Sequence, residues 1–551
     1  MKRKFVALVI CTALLLSGCA TGEKGSSAVS PSAEIEAESA EASEEVSENV
    51  EASENAEASE SVDPEGDSGG SDKAGNAEID EAAEIEEEDP RGEPLLEIEA
   101  ESGVFSGNCN VKSSKKYSGE AYVTGFQGSG DSTELEFVLD ESVFCDLVFL
   151  MSSMDGSHKE NYVCLDGTQL GTVKTDGSSI SECTLKRVYL EEGTHTISLN
   201  SYWGYVNWDK LELYESPELP EDMYKVGKVL VNPNADENAQ KLMDYLTGIY
   251  GDYILSGQYG EGGYESNEVK QIAEVNGGKL PAVIGLEMGD CCQTAVDNNF
   301  THPSVEDAID TWERGGIVTM CYHWLAPEQY ITGIWWEGFR NDKVSIPLKA
   351  IMNGEDEEGM ELLLKDIDIL AGELQQLEDA GVPILWRALH EAAGGWFWWG
   401  NYGAENYKKL YVLMYEKLTE EYGLDNLIWV WNGQDEDWYP GDEYVDIIAV
   451  DLYPGEQQYS SHVDSFLELY DWLGEENKMI VLSENGTMQD IDACVREGAM
   501  WGFFCTWNGE FVLTTEGETK YSEKYTEKDM LTKIYNHDKV LTLDELPDIK
   551  K

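Results

Sequence analysis

The chain is 551 residues long and carries 109 Asp and Glu against 37 Lys and Arg, a formal charge of −72. That balance argues against a nucleic-acid partner, which needs clustered Lys and Arg to displace phosphate counterions, and favours a neutral polymer or a cation. With room for two to four domains, the core does not need all of the 16 Trp and 28 Tyr, so part of them is expected to line a surface that grips something flat and apolar.

The first residues are Lys2-Arg3-Lys4, an apolar run from Phe5 to Leu16, and a small-residue ending. A basic head, a short hydrophobic stretch and small residues at the cleavage point make an export signal, too short to span a bilayer. Its ending, Leu16-Ser17-Gly18-Cys19, resembles a bacterial lipobox. The resemblance implies a lipoprotein signal over 1–19, lipidation at Cys19, and an extracellular protein held at the cell membrane only by that lipid. Residues 20–95 are Glu, Ala and Ser with scattered Gly, 25 acids against three bases. Like charges repel there and little apolar area offsets the ordering entropy, so the segment reads as a disordered acidic linker. Setting aside Cys11 and Cys19, nine of the eleven cysteines remain at irregular spacing with no CxxC pair; they read as buried free thiols, not a disulfide framework.

Residues 96–220 alternate apolar and polar positions in short runs: Glu134–Val138, Cys145–Leu150, Thr194–Leu199 and Asp209–Leu213. Strands at roughly ten-residue spacing predict an antiparallel β-sandwich, a jelly-roll module. The opening Ile98-Glu-Ala-Glu101, the Tyr117-Ser-Gly-Glu-Ala-Tyr-Val123 turn and the closing Tyr202-Trp-Gly-Tyr-Val-Asn-Trp-Asp209 resemble carbohydrate-binding module families 6 and 35, chiefly the latter. That resemblance implies a structural Ca²⁺ held by Glu99, Glu101 and Asp209, hard oxygen donors from the first and last strands. It also implies sugar contact by Tyr122, Trp203, Tyr205 and Asn207, aromatic plates and an amide suited to a pyranose ring.

From residue 221 to 551 the period changes. Eight apolar runs, Tyr253–Gln258, Pro281–Met288, Gly315–Trp324, Pro383–Glu391, Asn426–Gly433, Val445–Tyr453, Met479–Gly486 and Gly502–Gly509, alternate with amphipathic segments such as Met360–Ala380 and Glu405–Tyr422. Eight such units predict an α/β (β/α)₈ TIM barrel with its chemistry at the carboxyl ends of the strands. Those ends carry His323-Trp324, His390-Glu391, Trp429-Val-Trp431-Asn432, Asp451-Leu-Tyr453, Ser483-Glu484-Asn485 and Trp507-Asn508. The topology sets Glu391 and Glu484 on opposite sides of one mouth. Two carboxyls facing across an aromatic cleft are the minimum equipment for cleaving a glycosidic bond.

Trp386-Arg-Ala-Leu-His-Glu391-Ala-Ala-Gly-Gly-Trp-Phe-Trp-Trp-Gly400, Leu482-Ser-Glu-Asn485 and Ile254-Leu-Ser-Gly-Gln258 resemble glycoside hydrolase family 26, best known for β-mannanases. The resemblance implies Glu391 as acid/base and Glu484 as nucleophile of a retaining double displacement, without a catalytic cofactor. It implies Tyr453 as partner of Glu484, with Arg387 adding positive potential, and His323 and His390 around the −1 sugar. Trp507 is expected under that sugar, Trp324, Trp336 and Trp396 at neighbouring subsites, and Asp451 on a hydroxyl. Trp429 and Trp431 alternate along one strand, so one of them is expected to pack behind the barrel. The Glu287-Met-Gly-Asp-Cys-Cys292 segment has no counterpart in the pattern.

The implied activity is endo-β-1,4-mannanase action by a monomer on β-mannan, galactomannan or glucomannan. A lichenase-like β-glucanase and a β-1,3-xylanase are the alternatives within the family. An inactive surface glycan-binding lipoprotein is the alternative outside it, disfavoured because a binder has no use for two opposed carboxyls.

Overall fold

The computed structural model describes residues 91–550 apart from residue 475; the signal, Cys19 and nearly all of the acidic linker lie outside them. In the N-terminal module two antiparallel sheets face each other. One runs in the order Asn110–Ser113, Ala121–Thr124, Val206–Glu215, Val143–Ser153, Ser181–Leu190, with Leu96–Glu99 paired to Val206–Glu215. The other runs Val104–Ser106, Ser132–Leu139, Gly193–Ser201, Lys159–Leu165, Thr168–Thr175. Alternation decides which side chains meet: along Ser132–Leu139 every second residue from Thr133 to Phe137 is buried. Phe149 and Trp208 meet at 5.4 Å inside the sandwich.

The module sits directly on the second unit. The Lys186 backbone N–H donates to Asp464 (2.7 Å), Lys174 pairs with Glu468 (3.3 Å), and Arg187 Nε donates to the Glu497 carbonyl (3.0 Å).

The second unit is a closed barrel of eight parallel strands: β1 (Gly257–Tyr259), β2 (Val283–Glu287), β3 (Ile317–Cys321), β4 (Ile384–Arg387), β5 (Leu427–Trp431), β6 (Ile447–Leu452), β7 (Met479–Asn485) and β8 (Phe504–Thr506). Seven lie within the apolar runs, and β1 overlaps the end of the run Tyr253–Gln258. Nearly every strand residue is buried, as expected when helices cover the outer face. The surrounding helices start where carboxylate or hydroxyl side chains accept their free N–H groups: Asp236 at Glu237–Ile249, Ser266 at Asn267–Asn276, Asp356 at Glu357–Asp379. The amphipathic segment beginning at residue 404 is α-helical over Ala404–Tyr415 and finishes as a π-helical turn, Glu416–Glu421.

Two irregularities aim the mouth. β4 stops at Arg387, short of the expected Glu391, because Leu389 and Glu391 adopt left-handed backbone (φ 51° and 53°). Conformations that cost side-chain-bearing residues free energy occur where the surrounding structure requires them, and this pair turns Glu391 into the mouth. On β7 the register with β6 passes from Val450↔Leu482 to Asp451↔Glu484, leaving Ser483 as an extra residue. Such a bulge re-aims the next side chain, here Glu484.

Candidate active site

Glu391, Asp451 and Glu484 each place one carboxylate oxygen within 4.8 Å of the other two. All are nearly sealed from solvent, Glu391 at 6%, Glu484 at 4% and Asp451 at 0% exposure. One cation serves the group. Arg387, fully buried at the end of β4, donates Nη1 to Asp451 (3.0 Å), and its Nη2 to Glu484 and to the Tyr259 hydroxyl (3.3 Å). The other Glu484 oxygen accepts from the Tyr453 hydroxyl at 2.6 Å. Among the described residues no cation pairs with Glu391; Trp396 Nε1 donates to one oxygen (2.8 Å) and Gln434 Nε2 to the other (3.2 Å).

Three carboxyls around one guanidinium cannot all ionise in a low-dielectric pocket. Burial first, then Asp451 and Glu484, push Glu391 well above the ordinary carboxyl range. Burial also raises Glu484, to about 7, against the pull of Arg387 and the Tyr453 hydroxyl. The proton therefore rests on Glu391, which leaves a neutral acid facing an ionised carboxylate. That asymmetry is the one required for protonating a leaving oxygen on one side and attacking on the other.

The histidines form a line. His323 donates Nδ1–H to Glu287 (2.6 Å), and its Nε2 lies 3.2 Å from His390 Nε2. Burial opposes a charge on His323, but Glu287 outweighs it and raises its pKa. Burial, with Arg387 and His323, holds His390 well below the ordinary range and hence neutral. His323 keeps a 21% exposed side chain beside Trp507, whereas His390 is 1% exposed behind it. Trp507 is partly exposed and lies against Tyr259 with ring centroids 4.6 Å apart. Trp396 is also partly exposed, and Trp336 meets Trp335 edge to face at 5.5 Å in the loop after β3.

Four expectations are corrected. Trp324 is no subsite wall: it is fully buried, its indole N–H bonded to Asp366 (2.9 Å) and its ring stacked on Tyr322. Asp451 does not face a sugar hydroxyl, because Ser483 (2.6 Å) and Arg387 occupy its two oxygens in the barrel interior. Both Trp429 and Trp431 pack outward, on Tyr415 and on Trp472 respectively. His390, expected at the sugar, reaches the mouth only through His323.

Tyr259, Glu287 and Gln434 were not anticipated from the sequence. Glu287 alone stood in a string that the sequence singled out, at the end of the second apolar run; Gln434 follows the fifth run directly, and its left-handed φ of 65° shows only in the structure.

In the module, Glu99 accepts from the Ser118 hydroxyl (2.5 Å) and Asp209 from the Ser118 N–H (2.8 Å). Glu101 reaches the same turn, where a Cβ on Gly119 would come within 2.8 Å of it. One buried oxygen of Glu99 and one of Glu101 have no hydrogen-bond partner, and burial with the two neighbouring glutamates raises Asp209 to about 6. Unsatisfied carboxylate oxygens converging on one turn fit a hard cation. Tyr122 stacks on Tyr117 (4.2 Å), and both lie on the outer face with Asn207, whose strand partner Ser152 meets the Tyr117 hydroxyl at 3.0 Å. Trp203 meets His158 edge-on and Tyr205 is 45% exposed, both in the loop before the last strand. The nine cysteines among the described residues are all free thiols.

Known proteins resemble this chain over both units. Residues 231–545 match the model of glycosyl hydrolase family 26, and residues 96–215 that of carbohydrate binding module family 35. A mannan endo-1,4-beta-mannosidase of Thermothelomyces thermophilus is 35% identical over 83% of this chain and 92% of its own. The crystal structure of a Podospora anserina GH26-CBM35 β-(1,4)-mannanase aligns with TM-score 0.58 at 34% identity, over 83% of this chain and 99% of its own. A ruminal GH26 endo-β-1,4-mannanase aligns with TM-score 0.59 at 28% identity, over 82% and 98%.

Proposed function

We propose, for a chain that belongs to glycosyl hydrolase family 26, that it hydrolyses mannan-type polysaccharides as an endo-β-1,4-mannanase. The observation that carries the reading is the pair Glu391 and Glu484, with oxygens within 4.8 Å across the mouth and only one of the two held by a guanidinium. Carboxyl oxygens within 4.8 Å of one another leave no room for a water between carboxylate and sugar, so the reaction proceeds with retention.

Glu484, kept ionised by Arg387 and Tyr453, attacks the anomeric carbon of the −1 mannose while Glu391 gives its proton to the departing glycosidic oxygen. The products are a shortened chain and an ester between sugar and Glu484. Glu391, now a carboxylate, then removes a proton from water, which displaces Glu484 and frees a sugar of the original anomeric configuration. Desolvation keeps Glu391 protonated in the resting enzyme. Trp507 lies under the −1 ring and His323 reaches its hydroxyls; Trp336 and Trp396 serve the adjoining sugars.

In the module, Glu99, Glu101 and Asp209 would hold a Ca²⁺, whose charge would tie the first strand to the last. Tyr122, Trp203, Tyr205 and Asn207 hold the polysaccharide near the enzyme. The basic head and lipobox-like ending support export and lipid attachment at Cys19, and the acidic linker then carries a monomeric enzyme away from the cell surface.

Galactomannan, glucomannan, lichenan and β-1,3-xylan offered to the protein test the assignment. Reducing ends released from the mannans and lost in Glu484→Ala support it; binding without release by the unmodified protein overturns it.

A further inference from the structure

Beside the sugar site lies a donor set that the hydrolysis does not use. Glu287, the last residue of β2, is in register with Cys321, the last residue of β3, and His323 follows two positions on, so all three side chains turn to one point. Glu287 Oε2 accepts from Cys321 Sγ (3.0 Å) and from His323 Nδ1 (2.6 Å), while its other oxygen accepts the His323 backbone N–H (2.8 Å). One donor atom of each side chain lies within 4.8 Å of the other two. Thiolate sulfur, imidazole nitrogen and carboxylate oxygen are the ligands zinc takes, and three protein ligands with one open position make a reactive or inhibitory site rather than a sealed structural one.

We propose that Glu287, Cys321 and His323 bind a divalent transition-metal cation of the zinc type, and that its binding inhibits the enzyme.

The two hydrogen bonds to Glu287 Oε2 already draw sulfur and nitrogen onto one oxygen, and a single cation replaces both protons. The thiol proton and the Nδ1 proton both leave to solvent as the sulfur–metal and nitrogen–metal bonds form, and the neutral ring keeps its one proton on Nε2, 3.2 Å from His390 Nε2. A tetrahedral cation with bonds of about 2.0–2.3 Å sets its donors roughly 3.4–3.6 Å apart, so the three groups separate by less than about 1 Å, within reach of small side-chain rotations. The side chains of His323 and Glu287 are 21% and 28% exposed, which gives a cation an approach from the cleft.

The other carboxylate cluster in the mouth does not compete, because the Arg387 guanidinium already supplies its positive charge. Inhibition follows from position. His323 lies edge-on to Trp507 at 5.9 Å and against His390, so a cation that draws its ring toward Cys321 alters the wall of the −1 site and brings a bound water into it.

Co²⁺ added to the full-length protein tests the proposal without turnover, because sulfur–cobalt bonds give a near-ultraviolet charge-transfer absorption that oxygen-only sites do not. The expected result is one such cobalt per chain, absent in Cys321→Ser and kept in Cys494→Ser, a buried cysteine of the helix Ile491–Glu497. Without metal, Cys321→Ser retains mannan hydrolysis within twofold, and its half-inhibiting Zn²⁺ concentration rises at least tenfold. No sulfur–cobalt absorption in the unmodified protein, or absorption and Zn²⁺ inhibition unchanged in Cys321→Ser, overturns the proposal. Neither result bears on which polysaccharide is cleaved, since cobalt binding is read without substrate.

Discussion

Replacing Tyr453 with Phe removes one hydroxyl and tests how Glu484 is kept ionised. The phenol donates to Glu484 Oε2 at 2.6 Å, and Arg387 holds the other oxygen. A donor stabilises only the charged carboxylate, so its loss raises the Glu484 pKa. A hydrogen bond to a charged group contributes about 1.5–3 kcal/mol. At 1.36 kcal/mol per pKa unit this is a rise of roughly 1–2 units. Tyr453 is only half-buried, so water replaces part of the lost bond and the lower end is expected. Glu484 starts at about 7. The acid limb of kcat/KM, which reports the free enzyme, should therefore move upward by about one pH unit, while the alkaline limb set by Glu391 stays in place. Measured on a soluble manno-oligosaccharide between pH 5 and 10, the variant should recover much of its loss at alkaline pH. A uniform fall in kcat with an unmoved acid limb would refute the argument, because Tyr453 would then act on the sugar and not on the carboxylate.

Glu484→Ala should lower kcat by at least on the order of 10³-fold with substrate binding retained, which affinity electrophoresis in galactomannan would show. Trp324→Phe removes the donor to buried Asp366 and should cost about 1–3 kcal/mol of stability in denaturant titration with KM unchanged; a raised KM at wild-type stability would return Trp324 to the subsites. Trp507→Ala should do the reverse, leaving the melting temperature nearly unchanged and lowering kcat/KM at least tenfold. If Ca²⁺ binds at Glu99, EDTA should lower the melting transition of the module and calcium should restore it; Glu99→Gln should abolish the response.

The barrel was legible because its strands are apolar runs between amphipathic helices; seven runs contain their barrel strand, and the first, Tyr253–Gln258, also takes in the short strand Ile254–Leu255 and stops one residue before the end of β1. The two glutamates were legible from their strings. What escaped the sequence is where each neighbouring side chain points. Alternation along the end of β3 does contain part of the answer: Cys321 and His323 turn to Glu287, while Tyr322 and Trp324 stack on each other in the opposite direction. Reading that period through Trp324 would have placed it among the helices. Asp451 was beyond reach, because its neighbours are decided by Arg387 from another strand and by the Ser483 bulge, and neither follows from local pattern. The left-handed turn at Leu389 and Glu391 likewise has no glycine to announce it.

The central claim is that Glu484 forms a covalent bond to the sugar. An activated 2-deoxy-2-fluoro-β-mannoside, whose fluorine slows the second displacement, should inactivate the enzyme with time, and digestion followed by mass spectrometry should find one added sugar on the peptide containing Glu484. Label on Glu391 or Asp451, or no label while mannan is still hydrolysed, would contradict the account.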